Sequence, residues 1–382
     1  MFENHCHDVS NLYKYLEQLD PAGEFWSIKP LLTYGKPIVF CTSSRSIGKS
    51  TNVACFLVLD YIINHYRWIY LRRTKDEVLE TCQSFFSNAI TLLNEKCGFN
   101  IEEITYKGGD YFIKFKDSDK IEKCGETMAL SLEHKFKSNV YNTTDYKTGT
   151  IVYDEFLPKE VTQYLGSFYS NPQLEYTKFN EFYGTVDREI GSPFLSATRA
   201  IFLGNTSTLY NPLFIGMGVA GYIARDEKAK IVSPKDKPWI LNRVKQVKAT
   251  ESFKTSLLYA ISGEEDRRYN FENDGGDDYN TNFIRKCERI DNTVMIVKLQ
   301  GKTYRILRQA AELFIERYKD VPYNRCYSLD LASHGADDFR LVTRWHNDPK
   351  LSSVRAAFER GDLYFDCNAT KQAFAVYLSL IS

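Results

Sequence analysis

The chain lacks the patterns that mark a membrane span or an oxidising compartment. It has no run of 18 apolar residues and no signal-peptide pattern, so a soluble, unexported protein with no membrane association is expected. Its nine Cys include no CxxC pair, which fits reduced thiols in a cytosol better than a disulfide framework. His5-Cys6-His7 has no second ligand pair at zinc spacing, so structural zinc is not expected. Excess charge of one sign is absent as well. Lys+Arg 49 balance Asp+Glu 49, and without a basic excess any nucleic-acid contact must be local. No internal repeat or low-complexity tract appears. What is there is ordinary globular composition, 43% hydrophobic and 26% charged over 382 residues, enough for two domains.

The most informative stretch is an apolar strand, Ile38-Val39-Phe40-Cys41, that runs through Ser43-Ser44-Arg45-Ser46-Ile47-Gly48-Lys49-Ser50-Thr51 into a helical pattern. It reads as a phosphate-binding loop (Walker A). Backbone N–H groups of such a turn and of the following helix start cradle phosphate oxygens, Lys49 bridges the terminal phosphates, and Ser50 ligates Mg2+. Residues 43 to 51 are therefore the nucleotide-binding candidates, with ATP and Mg2+ as cofactors. Ser43 and Ser46 stand where glycine is common, and serine tolerates positive φ less readily.

A second signal follows at Thr150-Ile151-Val152-Tyr153-Asp154-Glu155-Phe156, a β-branched apolar run ending in two adjacent carboxylates. A buried parallel strand would bring this Walker B end beside the phosphate loop. Asp154 would then hold the metal, and Glu155 would orient and deprotonate the attacking water. The pair favours an NTPase over a mere nucleotide binder.

Around these motifs strands and helices alternate. A helix over 52–66 precedes a strand at Trp68–Arg72, and apolar residues from Val78 to Leu93 recur at helical spacing. A hairpin flanks Gly108-Gly109, and a strand at Arg199–Leu203 ends in Gly204-Asn205. The succession predicts an α/β fold of the P-loop NTPase class (ASCE, RecA-like), with a doubly wound, mostly parallel sheet and nucleotide at the strand C-termini. The P-loop ATPase domain is placed at 1–220, a charged, turn-rich lid and linker at 221–284, and a second domain at 285–382. In that domain strands are expected at 293–299, 303–307, 326–331 and 363–365, with helices around 309–318, 351–360 and 369–380.

The linked order of these motifs resembles the DNA-packaging motor ATPases of phi29-like phages, compact relatives of terminase large subunits. The matching pieces are Ser43–Ser50, Ile69–Lys75, Lys137-Ser138-Asn139, Thr150–Phe156, Thr185-Val186-Asp187-Arg188, Leu203-Gly204-Asn205 with Asn211-Pro212, and Ala356–Asp366. The resemblance implies a homo-oligomeric ring of five ATPase subunits at the portal vertex of a procapsid, driving double-stranded DNA inward in the host cytoplasm. The portal (connector) is an implied partner, and a structural packaging RNA is a further candidate. It also implies that Asn205 senses the γ-phosphate and that Arg188 is an arginine finger reaching a neighbour's nucleotide, with Lys137 a candidate for the same intersubunit role. Arg45 is a candidate phosphate contact in cis. Arg72, Arg73 and Lys75, at a strand end, are candidates to track DNA phosphates.

The C-terminal domain has the meander-then-helix order of an RNase H-like nuclease. Two-metal cleavage needs converging carboxylates, yet the first strand, Thr293–Leu299, carries Lys298 and no acid. Asp330 and Asp366 alone are strand-end acids, so the nuclease site is expected to be vestigial. The rival readings are another P-loop nucleic-acid motor, such as a helicase or remodelling ATPase, a non-catalytic scaffold, and a nucleotide kinase. Glu155 argues against the scaffold, and the size of the second domain against the kinase.

Overall fold

A computed structural model describes residues 6–44, 47–137, 141–143, 146–157, 174–187, 198–205, 211–219, 222, 229–244, 247–248, 257–261, 284–288, 292–299, 301–319, 326–329, 334–335, 340–341, 348–360, 362–367, 370–371 and 373–374. The chain divides into two compact units. The first holds the described residues up to 157, those of 175–205 and those of 228–275; the second is built mainly from 276–382. Among the described residues no helix is long and apolar enough to cross a membrane.

In the first unit α1 (Tyr13–Leu19) and α2 (Lys29–Leu32) lead into β1 (Ile38–Ser43), α3 (Lys49–Asn64) and β2 (Tyr66–Arg72). Then come α4 (Lys75–Thr81), α5 (Ser87–Cys97), β3 (Ile101–Lys107), β4 (Asp110–Phe115), β5 (Ile121–Ala129), β6 (Lys147–Asp154), α6 (Leu174–Val186), β7 (Arg199–Asn205), β8 (Ile231–Val232) and β9 (Trp239–Val244). The strands form one sheet in the order β3-β4-β5-β2-β6-β7-β1-β9-β8. Strands β5, β2, β6, β7, β1 and β9 run parallel, and antiparallel β3, β4 and β8 finish the two edges.

The continuous apolar runs of β1 and β7 follow from burial on both faces, as parallel strands covered by helices require. On one face α3 packs Val53, Phe56 and Leu57 into the cluster that contains Val39, Cys41, Val152, Ile201 and Leu203. On the other, Phe40 and α6 residue Phe179 close on Phe202 at ring-centroid distances of 4.5 and 4.8 Å, and Phe156 joins at 5.6 Å. The segment that follows β6 is thereby anchored in the core by its first aromatic side chain.

Three expectations are corrected here. Part of the stretch read as lid and linker, 231–244, is structural: β9 lies parallel beside β1, and Lys36 Nζ donates to the carbonyls of Pro234 and Lys237 to fasten the turn between β8 and β9. The single helical pattern from Val78 to Leu93 is two helices, α4 and α5. β5, a strand rich in Glu and Lys, fills the position between β4 and β2 and was not foreseen.

The second unit has a six-stranded sheet, β10 (Thr293–Leu299), β11 (Lys302–Gln309), β12 (Glu312–Arg317), β13 (Cys326–Ser328), β14 (Arg340–Leu341) and β15 (Leu363–Phe365), in the order β14-β13-β10-β11-β12-β15. β10, β11 and β12 form an antiparallel meander, β13 runs parallel to β10, and β14 parallel to β13. Helix α7 (Pro349–Arg360) sets Leu351, Val354 and Ala357 in the same core as Val297, Ile306 and Ile315. The helix expected around 309–318 is instead strand β12. Gln309 pairs with Glu312 across a two-residue turn, with Ala310 at φ 53, so β12 folds straight back on β11.

Candidate active site

Sheet register assembles the site before any side chain is considered. Ser43 at the end of β1 lies opposite Asn205 at the end of β7, and Leu203 on β7 lies opposite Asp154 at the end of β6. Three motifs spread over more than 150 residues of sequence thus meet at the C-terminal ends of adjacent strands. They line one cleft of about 310 Å³ whose walls are Ile47, Gly48, Lys49, Ser50, Thr51, Asp154, Glu155, Leu203, Gly204 and Asn205.

The loop turns into α3 at Gly48, whose φ of 89° only glycine adopts without strain. Ser43 is no obstacle where the motif usually has glycine. It is the last residue of β1, fully buried, and its hydroxyl donates to the Ser44 carbonyl at 2.7 Å. The Lys49 ammonium, 8% exposed, donates to Ser43 Oγ, to the Ser44 carbonyl at 2.9 Å and to Asn205 Oδ1 at 3.3 Å. Lys49 and the proposed sensor therefore touch directly. Ser44 Oγ is buried with no hydrogen-bond partner among the described residues. Arg45 and Ser46 lie outside the described residues.

On the opposite wall Asp154 is deeply set and Glu155 is open. Burial pushes the Asp154 carboxyl above its ordinary range, against the pull of the Arg72 guanidinium and Lys49. The Glu155 side chain is 55% exposed, and its backbone sits at φ 52°, a left-handed conformation that a non-glycine residue holds only when its surroundings impose it. Behind it, Gly204 admits the chain after β6: a Cβ there would stand 2.8 Å from the Phe156 ring and 3.0 Å from Leu157.

The donor set fits a magnesium–triphosphate ligand. It combines a helix start, a buried ammonium, the Ser50 hydroxyl and a carboxylate pair in one cleft, with the orphaned buried Ser44 hydroxyl in the segment between β1 and that cleft.

Two DNA-contact candidates are overturned. Arg72 and Arg73 are 4% and 2% exposed, and neither side chain reaches the surface. Arg72 faces the Walker B acids at 3.4 Å from Asp154 and 2.9 Å from Glu155, and Arg73 pairs with the fully buried Glu175 of α6 at 2.9 Å. The cause is topological: β2 is the immediate neighbour of β6, so its end faces the acids rather than solvent. Lys75 is exposed at the start of α4, and Lys137 is exposed in a turn outside the cleft lining. Arg188 lies outside the described residues. Sequence reasoning missed Glu175 and Tyr70, whose hydroxyl donates to Asp154 at 3.3 Å. The alternation within β2, Tyr70 and Arg72 on the side of Asp154, was the signal that could have found Tyr70.

Comparison with known proteins places the chain in a family and supports its fold. The DNA packaging proteins of Bacillus phages PZA and phi29 are each 23% identical over 349 residues, covering 90% of this chain and 93% of theirs. That of Bacillus phage B103 is 25% identical over 355 residues, covering 88% and 94%. Among solved structures, the bacteriophage Phi-29 viral genome packaging motor assembly has a chain that aligns with a TM-score of 0.61 at 19% identity, over 93% of this chain and 99% of that one. The Phi-28 gp11 DNA packaging motor aligns at 0.59 and 20% identity, over 94% and 100%. At such identity the structural likeness speaks for the fold. The family model for the Podovirus DNA encapsidation protein (Gp16) matches residues 22–378, a span that includes the phosphate loop, the Walker B strand and the second sheet, and the chain belongs to that family.

Proposed function

We propose that this chain is the ATPase of a phage genome-packaging motor, which hydrolyses ATP to drive double-stranded DNA into a procapsid. The observation that carries the reading is the convergence of Lys49, Ser50, Asp154, Glu155 and Asn205 on one cleft. Lys49 and the start of α3 bind the phosphates, and Asn205, within hydrogen-bond reach of Lys49, reports the terminal one. Glu155, exposed at the mouth, orients and deprotonates the attacking water. Ser50 and Asp154 would hold Mg2+, which when bound supplies charge compensation for the phosphates. Arg188 is assigned the finger role from a neighbouring subunit in a homopentameric ring. The ring works at the portal of the procapsid in the host cytoplasm, with a packaging RNA as a further partner.

For the second unit the reading is an RNase H-like domain, in the span 285–382, without nuclease activity. The meander β10-β11-β12 with β13 and β14 added parallel beside β10 supports the fold. Asp366 follows β15, three strand positions from β10, or about 14 Å at ordinary strand spacing. Two-metal cleavage holds its ions about 4 Å apart, so Asp366 stands too far from the first strand.

The test is a pair of variants. Lys49→Ala abolishes nucleotide binding, whereas Glu155→Gln binds ATP and hydrolyses it orders of magnitude more slowly, because only water activation is lost. A Glu155→Gln protein that turns over at the wild-type rate removes Glu155 from the chemistry.

A further inference from the structure

The peptide after the Walker B strand is held by groups that the hydrolysis scheme does not use. Arg73 Nη2 donates to the carbonyl of Phe156 at 2.9 Å and approaches that of Glu155 at 3.5 Å. The Phe156 N–H in turn donates to the Leu203 carbonyl on β7 at 3.2 Å. The guanidinium is itself fixed: Nε and Nη2 donate to Glu175 Oε2 and Oε1 at 2.9 and 3.2 Å, and Nη1 lies 3.6 Å from Glu77. Glu175 has no exposed surface and also accepts from the Tyr153 hydroxyl. These holds grip the chain at and just after Glu155, the residue in the left-handed backbone conformation.

A buried bidentate ion pair is an expensive way to fasten a helix, because both ions lose their water and well-packed apolar groups do the same work. Here the pair also aims a donor at the carbonyl of one strained residue and at that of the residue after it. The strained residue is the water-activating acid, and its side chain is aimed by its own φ and ψ. Strain of this kind persists only where surrounding contacts over-determine it.

We infer that Arg73, oriented by Glu175 of α6, is a positioning residue that clamps the backbone of Glu155 and so aims its carboxylate at the water. This rests on the proposed ATPase reading. The clamp acts on the rate of hydrolysis and leaves nucleotide binding alone, since none of Arg73, Glu175 and Tyr153 lines the cleft. It also ties α6, which ends at Val186 two positions before Arg188 in sequence, to the end of the Walker B strand.

The experiment measures kcat, KM and the dissociation constant of a non-hydrolysable ATP analogue for wild type, Glu175→Gln, Arg73→Lys and Tyr153→Phe, each first checked for a folded thermal transition. Glu175→Gln is expected to lower kcat about ten-fold or more with analogue affinity unchanged within about two-fold, Arg73→Lys to do the same, and Tyr153→Phe to have a smaller effect of the same kind. Single-turnover rates are then measured with Glu155→Gln added. Because the clamp acts through Glu155, Glu175→Gln should cost little further rate in that background, whereas an independent structural role adds its full cost. If Glu175→Gln does not fold, Arg73→Lys and Tyr153→Phe decide by the same criteria. Wild-type kcat in the folded variants, a loss of analogue affinity matching the loss of rate, or additive losses with Glu155→Gln would overturn the clamp. Absence of hydrolysis by the wild-type protein would instead overturn the ATPase reading itself.

Discussion

Arg72 bridges the two Walker B carboxylates, with Nη2 2.9 Å from Glu155 Oε2 and Nη1 3.4 Å from Asp154 Oδ2. The Arg72 side chain is 5% exposed, and its Nε lies 3.8 Å from Glu77. A cation from the chain therefore stands on the carboxylate proposed to hold the metal. If Asp154 holds the metal as proposed, the two positive charges would be partial substitutes for one another there.

Removing that cation gives the first prediction. Arg72→Ala leaves adjacent acids with little countercharge and should destabilise the metal-free protein by about 3 kcal/mol, the lower end for breaking a buried pair, because the Glu155 side is open to water. Millimolar Mg2+ should then raise the melting temperature of the variant more than that of the wild type. Equal magnesium shifts in the two proteins would show that Arg72 and the ion do not share Asp154.

A second prediction concerns the C-terminal sheet. Its first strand carries Lys298 and no carboxylate, and Asp366 Oδ2 is already engaged by the Arg317 backbone N–H at 3.0 Å. Supercoiled plasmid incubated with Mg2+ or Mn2+ should stay uncut. Metal-dependent nicking that disappears in Asp366→Ala or Asp330→Ala would restore a nuclease to this domain.

The parts of the fold that sequence made legible are those where one strong local signal decides the outcome. β1, β6 and β7 are buried on both faces, so their apolar runs are continuous, and Gly48-Lys49-Ser50 and Asp154-Glu155 follow directly at their ends. Elsewhere tertiary context overrode the local pattern. β5 carries Glu122, Lys123 and Glu126 and earns its place by pairing with β2 and β4, with Lys123 bridging Asp110 and Glu126. The β11–β12 turn uses Ala310 at positive φ, where a hairpin signal would have been Asn or Gly. Arg72 and Arg73 read as surface cations because charge in a sequence carries no direction. Only the adjacency of β2 and β6 turns them inward, and adjacency is a property of strand order that no local window contains.

The third prediction follows from a buried lysine. Lys371 is 8% exposed, and burial pulls its ammonium down from 10.5 to about 8. Between those values the unfolded chain binds a proton that the folded chain has released, so stability rises with pH across the window and the burial penalty is fully present below about 8. The difference in unfolding free energy between wild type and Lys371→Met should change in favour of wild type by on the order of 3 kcal/mol as pH is raised through it. Denaturant titrations at the two ends of the window measure this, and a difference independent of pH would mean that Lys371 is charged in the folded protein throughout.

The fourth prediction concerns assembly. In sequence Arg188 lies 33 residues beyond Glu155, just after α6, and among the described residues Lys49 is the only cation lining the cleft. If the finger comes from a neighbour, two inactive proteins should rescue each other: Arg188→Ala supplies an intact phosphate loop, and Lys49→Ala supplies an intact finger. Mixed under conditions where rings form, they create some junctions in which a good loop meets a good finger, and ATPase activity should return there. Two defects acting within one subunit have no such junctions, however the rings are composed. A finger is worth roughly three to five orders of magnitude in rate, so even a minority of complementing junctions stands far above either parent. The ratio of the two variants should tune the activity, with a maximum at intermediate mixing where unlike neighbours are most frequent. Rings shown to be mixed that hydrolyse no faster than the sum of the two parents would return Arg188 to a role within its own subunit.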